Sequence, residues 1–265
     1  MKYNELDLKN WKELDINVNS LWLIDKRDKT GKHSNIYHGN FIPQIPNQLI
    51  RRFTKKYETV LDVFIGSGTT LFECEKLNRS CIGFDINENI LSYVKQNIPQ
   101  STDNLKYGID ICDVTNEKQF EMKISSWLEK INKKGVQFLI MHPPYLDIVK
   151  FTDKKEDLSL IADFRIFVEK FLTVVKNGLK YLEKSRYFAI VIGDVYKNSE
   201  VIPLPFYLLN AIKKNFGVKL KGIIVKNIEG NRGKLGKAGI WTYRALKSDY
   251  YIFKHEYILV FKKEE

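Results

Sequence analysis

The sequence has few cysteines and no long apolar run, and each absence removes a class of protein. Its cysteines are Cys74, Cys81 and Cys112, and no two of them form a C-x-x-C pair. We therefore predict neither a disulfide framework nor a metal site, and this usage suits a reducing cytoplasm. No apolar stretch approaches the ~20 residues that a membrane-spanning helix requires. A cytoplasmic protein with no membrane segment is expected.

Acidic residues are in deficit. Asp and Glu number 32 against 43 Lys and Arg, which gives a formal net charge of +11 and a pI near 9.3. A basic surplus of this size favours a polyanionic partner, with DNA or RNA first and a membrane surface second. The 265 residues, 44% of them hydrophobic, suffice for one large α/β domain with a substantial core.

Residues 59–70, Thr-Val-Leu-Asp-Val-Phe-Ile-Gly-Ser-Gly-Thr-Thr, predict a buried strand that runs into a glycine turn and then a helix. The apolar run 60–65 is typical of a strand buried on both faces. Gly66 and Gly68 permit a sharp turn and the close approach of a ligand. Free N–H groups at the start of the helix suit an anion. The third glycine of the dinucleotide fingerprint is lacking, which argues against NAD or FAD and leaves another nucleoside cofactor.

A second apolar strand, residues 80–84, ends at Asp85. An acid at this position is where a ribose-binding carboxylate belongs in a nucleotide-binding βαβ unit. The alternative is that Asp85 caps the helix that begins near residue 87.

Strand and helix patterns alternate along the rest of the chain, which predicts a doubly wound, mostly parallel α/β sheet of seven strands. The last strand, 255–261, is expected to be antiparallel at the edge. The later predicted strands are 105–109, 136–141, 187–192, 218–225 and 255–261.

The strand 136–141 is followed by His142-Pro143-Pro144-Tyr145. Two prolines at the carboxyl end of a buried strand predict a rigid, extended corner without N–H donors. Ligands bind at this edge of an open α/β sheet. The corner offers acceptors and an aromatic face, which suit a planar base with an exocyclic amino group.

The two stretches together resemble the amino-group DNA methyltransferases, which use S-adenosylmethionine to methylate adenine N6 or cytosine N4. The family has an Asp-x-Phe-x-Gly-x-Gly turn and a catalytic Asp, Asn or Ser followed by Pro-Pro and an aromatic residue. Segment 38–46 is similar to the family's cofactor-closing motif, and 255–261 to its last strand. The resemblance covers residues 33–262 and implies the Rossmann-like methyltransferase fold.

The resemblance implies a set of residues for S-adenosylmethionine. By this resemblance the glycine turn surrounds the methionine part of the cofactor, and Asp85 accepts hydrogen bonds from the ribose hydroxyls. Ile86 lies against the adenine, and Phe41 closes over the cofactor. Asp110 binds the adenine amino group, with Asp113 as the alternative. The implied residues are Asn40, Phe41, Asp62, Phe64, Gly66, Ser67, Gly68, Thr69, Thr70, Asp85, Ile86 and Asp110.

The implied catalytic residues are His142, Pro143, Pro144 and Tyr145, and His142 departs from the family pattern. A neutral imidazole can accept one hydrogen bond, whereas imidazolium can accept none. The base would be flipped out and methylated by direct in-line transfer, with its amino group held by His142 and the Pro143 carbonyl. We expect this step to weaken as the pH falls through the pKa of the imidazole, which is ~6.5 when unperturbed. A carbon-5 cytosine mechanism would need a cysteine after proline, and no cysteine here follows one.

Double-stranded DNA is the expected partner, and the protein is expected at the nucleoid. Residues 1–57 are predicted to form an N-terminal arm with the cofactor-closing segment. Residues 58–265 are predicted to form the core, with the basic loop 226–254 contacting DNA. The predicted DNA-contact residues are Lys150, Lys154, Arg232, Lys234, Lys237 and Trp241.

Alternatives remain open at this point. One is an RNA methyltransferase that acts on tRNA, and another is a non-catalytic nucleic-acid-binding module on the same fold. A restriction endonuclease of the same system or a second subunit is an open further partner. The target base and recognition sequence are not readable from these residues.

Overall fold

The structure, a computed structural model, describes residues 2–33, 39–228 and 238–264. Its strands are Leu21–Trp22 (β1), Thr59–Asp62 (β2), Ser80–Asp85 (β3), Tyr107–Ile111 (β4), Val136–Met141 (β5), Leu182–Ile192 (β6), Val195–Lys197 (β7), Glu200–Ile202 (β8), Val218–Asn227 (β9) and His255–Lys263 (β10). Its α-helices are Gln44–Phe53 (α1), Thr69–Lys76 (α2), Glu88–Lys95 (α3), Glu117–Lys130 (α4), Phe164–Tyr181 (α5), Leu204–Asn215 (α6) and Ala238–Lys247 (α7). Within those described ranges, no helix is both long and apolar enough to cross a bilayer.

The main sheet has eight strands in the order β1-β9-β10-β6-β5-β2-β3-β4. β2 lies between β3 and β5 and is parallel to both. The chain first adds β3 and β4 on one side of β2 and then returns to place β5 on the other side. The strand order therefore reverses between β2 and β5, and in open α/β sheets ligands bind at such a switch point.

Both faces of the sheet are covered by helices. Alternate residues of a strand point to opposite faces, so Leu61 of β2 packs with α4, α5 and α6 while Val60 packs with α1, α2 and α3. This explains why every residue of β2 and β5 is buried, as the sequence predicted for strands buried on both faces. The doubly wound, mostly parallel α/β fold is confirmed.

The N-terminal arm is part of the sheet and of the core. β1 pairs in parallel with β9, with Leu21 opposite Val225. Trp22 is buried, and α1 buries Ile45 and Leu49 in the same apolar cluster as β2. β1 and α1 of the arm therefore share one apolar core with the central strands.

Four details differ from the sequence-based expectation. The sheet has eight strands because the two-residue β1 adds to β9. β10 is antiparallel as predicted, but it lies between β6 and β9 because β9 pairs along its other side. The predicted loop 226–254 contains α7. A β7–β8 hairpin, which the sequence analysis did not predict, follows β6.

Candidate active site

A cavity of about 900 Å³ opens at the carboxyl ends of β2, β3 and β5. Gly66 and Asp85 line one side of it, and the corner His142 to Tyr145 lines the other. The glycine turn and the proline corner therefore face the same space. This arrangement follows from the topology, because β2 and β5 are adjacent and parallel, with Asp62 opposite Ile140.

The glycine turn begins earlier than predicted. β2 ends at Asp62, whose Oδ1 accepts a hydrogen bond from the Phe64 N–H at 2.9 Å. Gly66 (φ 50°) and Gly68 (φ 85°) both adopt the left-handed conformation that glycine tolerates best. Gly68 is the N-cap of α2. The two glycines are thus required by the backbone, as the sequence predicted.

Asp85 connects the turn to the end of β3. Its Oδ2 accepts from the Gly66 N–H and its Oδ1 from the Asn87 N–H, both at 2.9 Å. Burial raises the pKa of Asp85 to about 6, against the lowering effect of these amides. Each carboxylate oxygen has a second lone pair, so Asp85 can still accept from two hydroxyls of a ligand in the cavity.

Five of the predicted cofactor-binding residues support the glycine turn without lining the cavity. Asp62, Ser67, Gly68, Thr69 and Thr70 do not line the cavity. Asp62 is fully buried, and this burial raises its pKa to about 7. The Ser67 hydroxyl accepts from the Asn40 side-chain amide, which ties the arm to the turn. These residues shape the loop, whereas Phe64, Gly66, Asp85 and Ile86 face the cavity.

Asp110 does not reach the cavity, but the alternative, Asp113, does. β4 extends through Ile111, and Asp110 faces α4, where both of its oxygens accept from Lys123 Nζ at 3.1 Å. Asp113 follows the strand, and its Oδ1 accepts from the N–H and hydroxyl of Thr115 at 2.9 and 2.7 Å. The geometry thus favours Asp113 over Asp110 as the acid that faces the cavity after β4. The end of this strand is loosely defined in the sequence, which explains why Asp110 was preferred there.

The N-terminal arm covers one end of the cavity. Phe41 is buried, and its ring centroid lies 4.9 Å from that of His142. Arg27 Nη1 donates to the Phe41 carbonyl at 2.9 Å and so fixes this segment. Four arm residues that the sequence analysis did not single out also line the cavity: Asp25, Lys26, Arg27 and Lys29. Their only sequence signal is local charge, which ordinary surface segments share.

The proline corner presents His142, Pro143, Pro144 and Tyr145 to the cavity. His142 Nε2 lies 3.2 Å from Tyr145 Oη. Burial lowers the pKa of His142 to about 4, although the nearby Glu256 carboxylate opposes this shift. The imidazole is therefore neutral at pH 7, and desolvation of the ring moves its titration well below the unperturbed value of 6.5.

An ion pair from the last two long strands lies behind the corner. Tyr145 Oη donates to Glu256 Oε2 at 3.1 Å, and Lys226 Nζ donates to Glu256 Oε1 at 3.1 Å. Glu256 and Lys226 are cross-strand neighbours on β10 and β9, and both are buried. Neither residue was predicted as part of the site. The available signal was a single acid in the mainly apolar strand 255–261.

Of the predicted DNA-contact residues, the three that the structure describes, Lys150, Lys154 and Trp241, lie outside the cavity lining. Lys150 pairs with Asp153, and Lys154 pairs with Glu88 on α3. Trp241 is on α7, where the Arg244 guanidinium lies 5.5 Å from its ring centroid. Arg232, Lys234 and Lys237 lie outside the described residues.

Sequence comparison identifies relatives for part of the chain. A family model described as DNA methylase, N6_N4_Mtase, matches residues 1–96. Type II methyltransferase M.MjaII of Methanocaldococcus jannaschii is 28% identical over 42% of this chain and 23% of its own length. Type II methyltransferase M.HpaI of Haemophilus parainfluenzae is 30% identical over 31% of this chain and 29% of its own length. These matches thus span less than a third of either relative.

Solved structures with a similar arrangement are more distant. An rRNA methylase from Streptococcus thermophilus has a TM-score of 0.41 and 12% identity, over 78% of this chain and 87% of the other. SMU.1697c of Streptococcus mutans, solved in complex with SAH, has a TM-score of 0.43 and 16% identity, over 78% and 89%.

A switch-point cavity with a glycine turn and an acid on one side and a proline corner on the other is typical of nucleotide-binding α/β proteins. Residues 1–96 match the N6/N4 DNA methylase family model. Over part of its length the chain is therefore similar to the amino-group (N6/N4) DNA methyltransferases.

Proposed function

We propose that this protein transfers a methyl group from S-adenosylmethionine to an exocyclic amino nitrogen of adenine or cytosine in DNA. The observation that carries this proposal is the single cavity lined by both Gly66 and His142. A methyl donor held at the first residue and an amine held at the second would share one enclosed space. Proximity of this kind is a large part of the rate enhancement in group transfer.

The glycine-turn side suits the cofactor. Asp85 can accept from the two ribose hydroxyls, and Asp113 can accept from the adenine amino group. Phe64 and Phe41 also line the cavity and supply apolar surface to it. Bound there, S-adenosylmethionine supplies an electrophilic methyl group, and the residues named here hold and shield it.

The corner suits the target base. The neutral His142 ring can accept one N–H of the amino group, and the Pro143 carbonyl can accept the other. These bonds keep the nitrogen lone pair available for attack while Tyr145 holds the base. Flipping the base out of the duplex costs a few kcal/mol, which contacts in the pocket must offset.

Duplex DNA is the substrate that the charge favours. The net charge of +11 supports a polyanionic partner and, with it, an association with the nucleoid. Lys150 and Lys154 lie in the segment that follows the corner, where cations would meet phosphates near the flipped base. A restriction endonuclease with the same recognition site would be a natural counterpart of a modification enzyme.

The test is methyl transfer from labelled S-adenosylmethionine to duplex DNA and, in parallel, to tRNA. We expect label in DNA, recovered as N6-methyladenine or N4-methylcytosine after hydrolysis. Asp85→Ala and His142→Ala should both strongly reduce it, and Glu129→Gln, an exposed change on α4, should not. Label in tRNA alone would assign the RNA substrate instead. No transfer by folded, cofactor-bound protein would leave a non-catalytic module.

A further inference from the structure

Four side chains form a continuous hydrogen-bonded row along the cavity wall, which we call the row: Lys226, Glu256, Tyr145 and His142. The links are Lys226 Nζ to Glu256 Oε1 at 3.1 Å, Glu256 Oε2 to Tyr145 Oη at 3.1 Å, and Tyr145 Oη to His142 Nε2 at 3.2 Å. All four line the cavity. The row crosses three strands or their ends, so distant parts of the chain must fold together to form it.

The direction of the hydrogen bonds in the row is fixed at its charged end. Lys226 is a donor only, and an ionised Glu256 is an acceptor only. The single phenolic proton of Tyr145 must therefore go to Glu256. Tyr145 Oη is then left as an acceptor toward His142, so His142 Nε2 must carry the proton.

The protonation of the other ring nitrogen of His142, Nδ1, follows from this. A neutral imidazole with a proton on Nε2 has a free lone pair on Nδ1. Among the residues that the structure describes, none forms a hydrogen bond to His142 Nδ1. Both His142 and the Pro143 beside it line the cavity.

We propose that Glu256, held by Lys226, is a positioning residue that selects the Nε2–H tautomer of His142 through Tyr145, so that Nδ1 is the atom that accepts the target amino group. This inference rests on the proposed function for the identity of the substrate. The tautomer itself is a property of the protein without substrate.

The surroundings of His142 agree with this assignment. The charged groups that act on it are Glu256 from β10 and Lys226 from β9, and they oppose each other. The nearest ring from the arm, Phe41, is uncharged. Gly193 at the end of β6 leaves room for Tyr145, because a Cβ there would lie 3.0 Å from its ring. The row thus holds a neutral ring in one orientation.

A single substitution should reverse the direction of the hydrogen bonds in the row. In Glu256→Gln the amide oxygen faces Lys226, which needs an acceptor, and the amide NH₂ then faces Tyr145. Tyr145 Oη must accept from the amide and donate to His142 Nε2. The proton of His142 moves to Nδ1, and the atom that should accept the target amine becomes a donor.

The tautomer can be read without activity, from long-range ¹H–¹⁵N spectra of the histidine rings at pH 7. The sequence has four histidines, and the signal of His142 is assigned by its loss in His142→Asn. We expect a protonated Nε2 and an unprotonated Nδ1 in the unaltered protein. The two assignments should exchange in Glu256→Gln. A protonated Nδ1 in the unaltered protein would overturn the inference even if the enzyme methylates DNA.

The kinetic test is a double-mutant cycle in single-turnover methyl transfer. Glu256→Gln should lose at least about 50-fold, because a histidine held in the wrong tautomer loses its function. Tyr145→Phe keeps the ring but cuts the link, so we expect a loss of only about fivefold. The double variant should return to the Tyr145→Phe level. Glu129→Gln on α4 and the exposed Tyr57→Phe are the matched controls, with rates unchanged.

The outcomes separate the two proposals. Losses that simply add in the double variant would mean that Glu256 has a structural role only, and the inference fails. A protein that shows the expected tautomers but transfers no methyl group retains the inference about His142 and loses the proposed function. If Glu256→Gln does not fold, the spectra of Tyr145→Phe still test the inference. This variant cuts the link between Glu256 and His142, so a preference for the Nε2–H tautomer that survives in it would contradict the inference.

Discussion

The two sides of the cavity are built in different ways. The glycine-turn side comes mainly from one βαβ unit, with β2, its turn and the tip of β3 close together in the chain. The corner side needs β5, β9 and β10, and its hydrogen bond from Tyr145 to Glu256 spans 111 positions. The first side therefore depends on backbone conformation and the second on side chains that converge only in the fold. Changes on the two sides should have separable effects on cofactor binding and on methyl transfer.

The largest expected effect is on the corner side. His142→Ala should lower the single-turnover rate of methyl transfer by about 100-fold or more, since one acceptor for the reacting amine is lost. Cofactor affinity, measured by calorimetry, should stay within about twofold. A comparable loss of cofactor affinity in a folded variant would show that the two sides are not independent.

Asp85→Asn tests the glycine-turn side. Replacing a charged acceptor should weaken S-adenosylmethionine binding by about 10- to 100-fold, the usual range for hydrogen bonds to charged groups. The rate at saturating cofactor should change much less. An unchanged dissociation constant, measured by calorimetry, would argue that Asp85 only supports the loop through its hydrogen bonds from Gly66 and Asn87.

The pH dependence should separate the sides again. Because burial raises the pKa of Asp85 to about 6, its acceptor form is lost as the pH falls below 6. Cofactor affinity should then drop by about tenfold at pH 5. Because burial lowers the pKa of His142 to about 4, the rate at saturating cofactor should stay flat until the pH approaches 4. A rate that falls near 6.5 would mean that His142 is hydrated as in a free peptide.

A smaller effect distinguishes the two acids after β3. Asp113→Asn should weaken cofactor binding by about fivefold, because a neutral amide oxygen is a poorer acceptor than a carboxylate. Asp110→Asn should change it by less than about twofold, since Asp110 is bonded to Lys123. If calorimetric titrations show a larger loss of affinity for Asp110→Asn than for Asp113→Asn, the adenine contact would be assigned to Asp110 instead.

The last prediction concerns stability. Burial raises the pKa of Asp62 to about 7 from an ordinary 3.8, so the folded state binds more protons than the unfolded state between these values. Its contribution is full below about 3.8 and is lost as the pH rises through 7. Asp62→Asn keeps an acceptor for the Phe64 N–H and should raise the free energy of unfolding at pH 8 by about 1–2 kcal/mol. Urea titrations at pH 5 should show a smaller gain.

Local patterns predicted most of the glycine-turn side. Gly66 and Gly68 were readable because a strand, two glycines and a helix follow each other directly, and positive φ at both is the physical reason. Asp110 was the weak point, because one residue of strand length decides whether an acid faces α4 or the cavity. The helix α7 was not predicted, since its neighbours in the chain are rich in glycine and lysine.

The sequence by itself determined the alternation of strands and helices, the sharp turn at Gly66 and the rigid corner at Pro143 and Pro144, because these depend on neighbouring residues and backbone sterics. Only the tertiary structure decided that β10 lies between β6 and β9, which places Glu256 behind Tyr145 and next to Lys226. It also decided that the His142 ring is desolvated enough to lower its pKa to about 4, which keeps it neutral at pH 7. Burial and pairing depend on which distant strands become neighbours, and no local pattern records that choice.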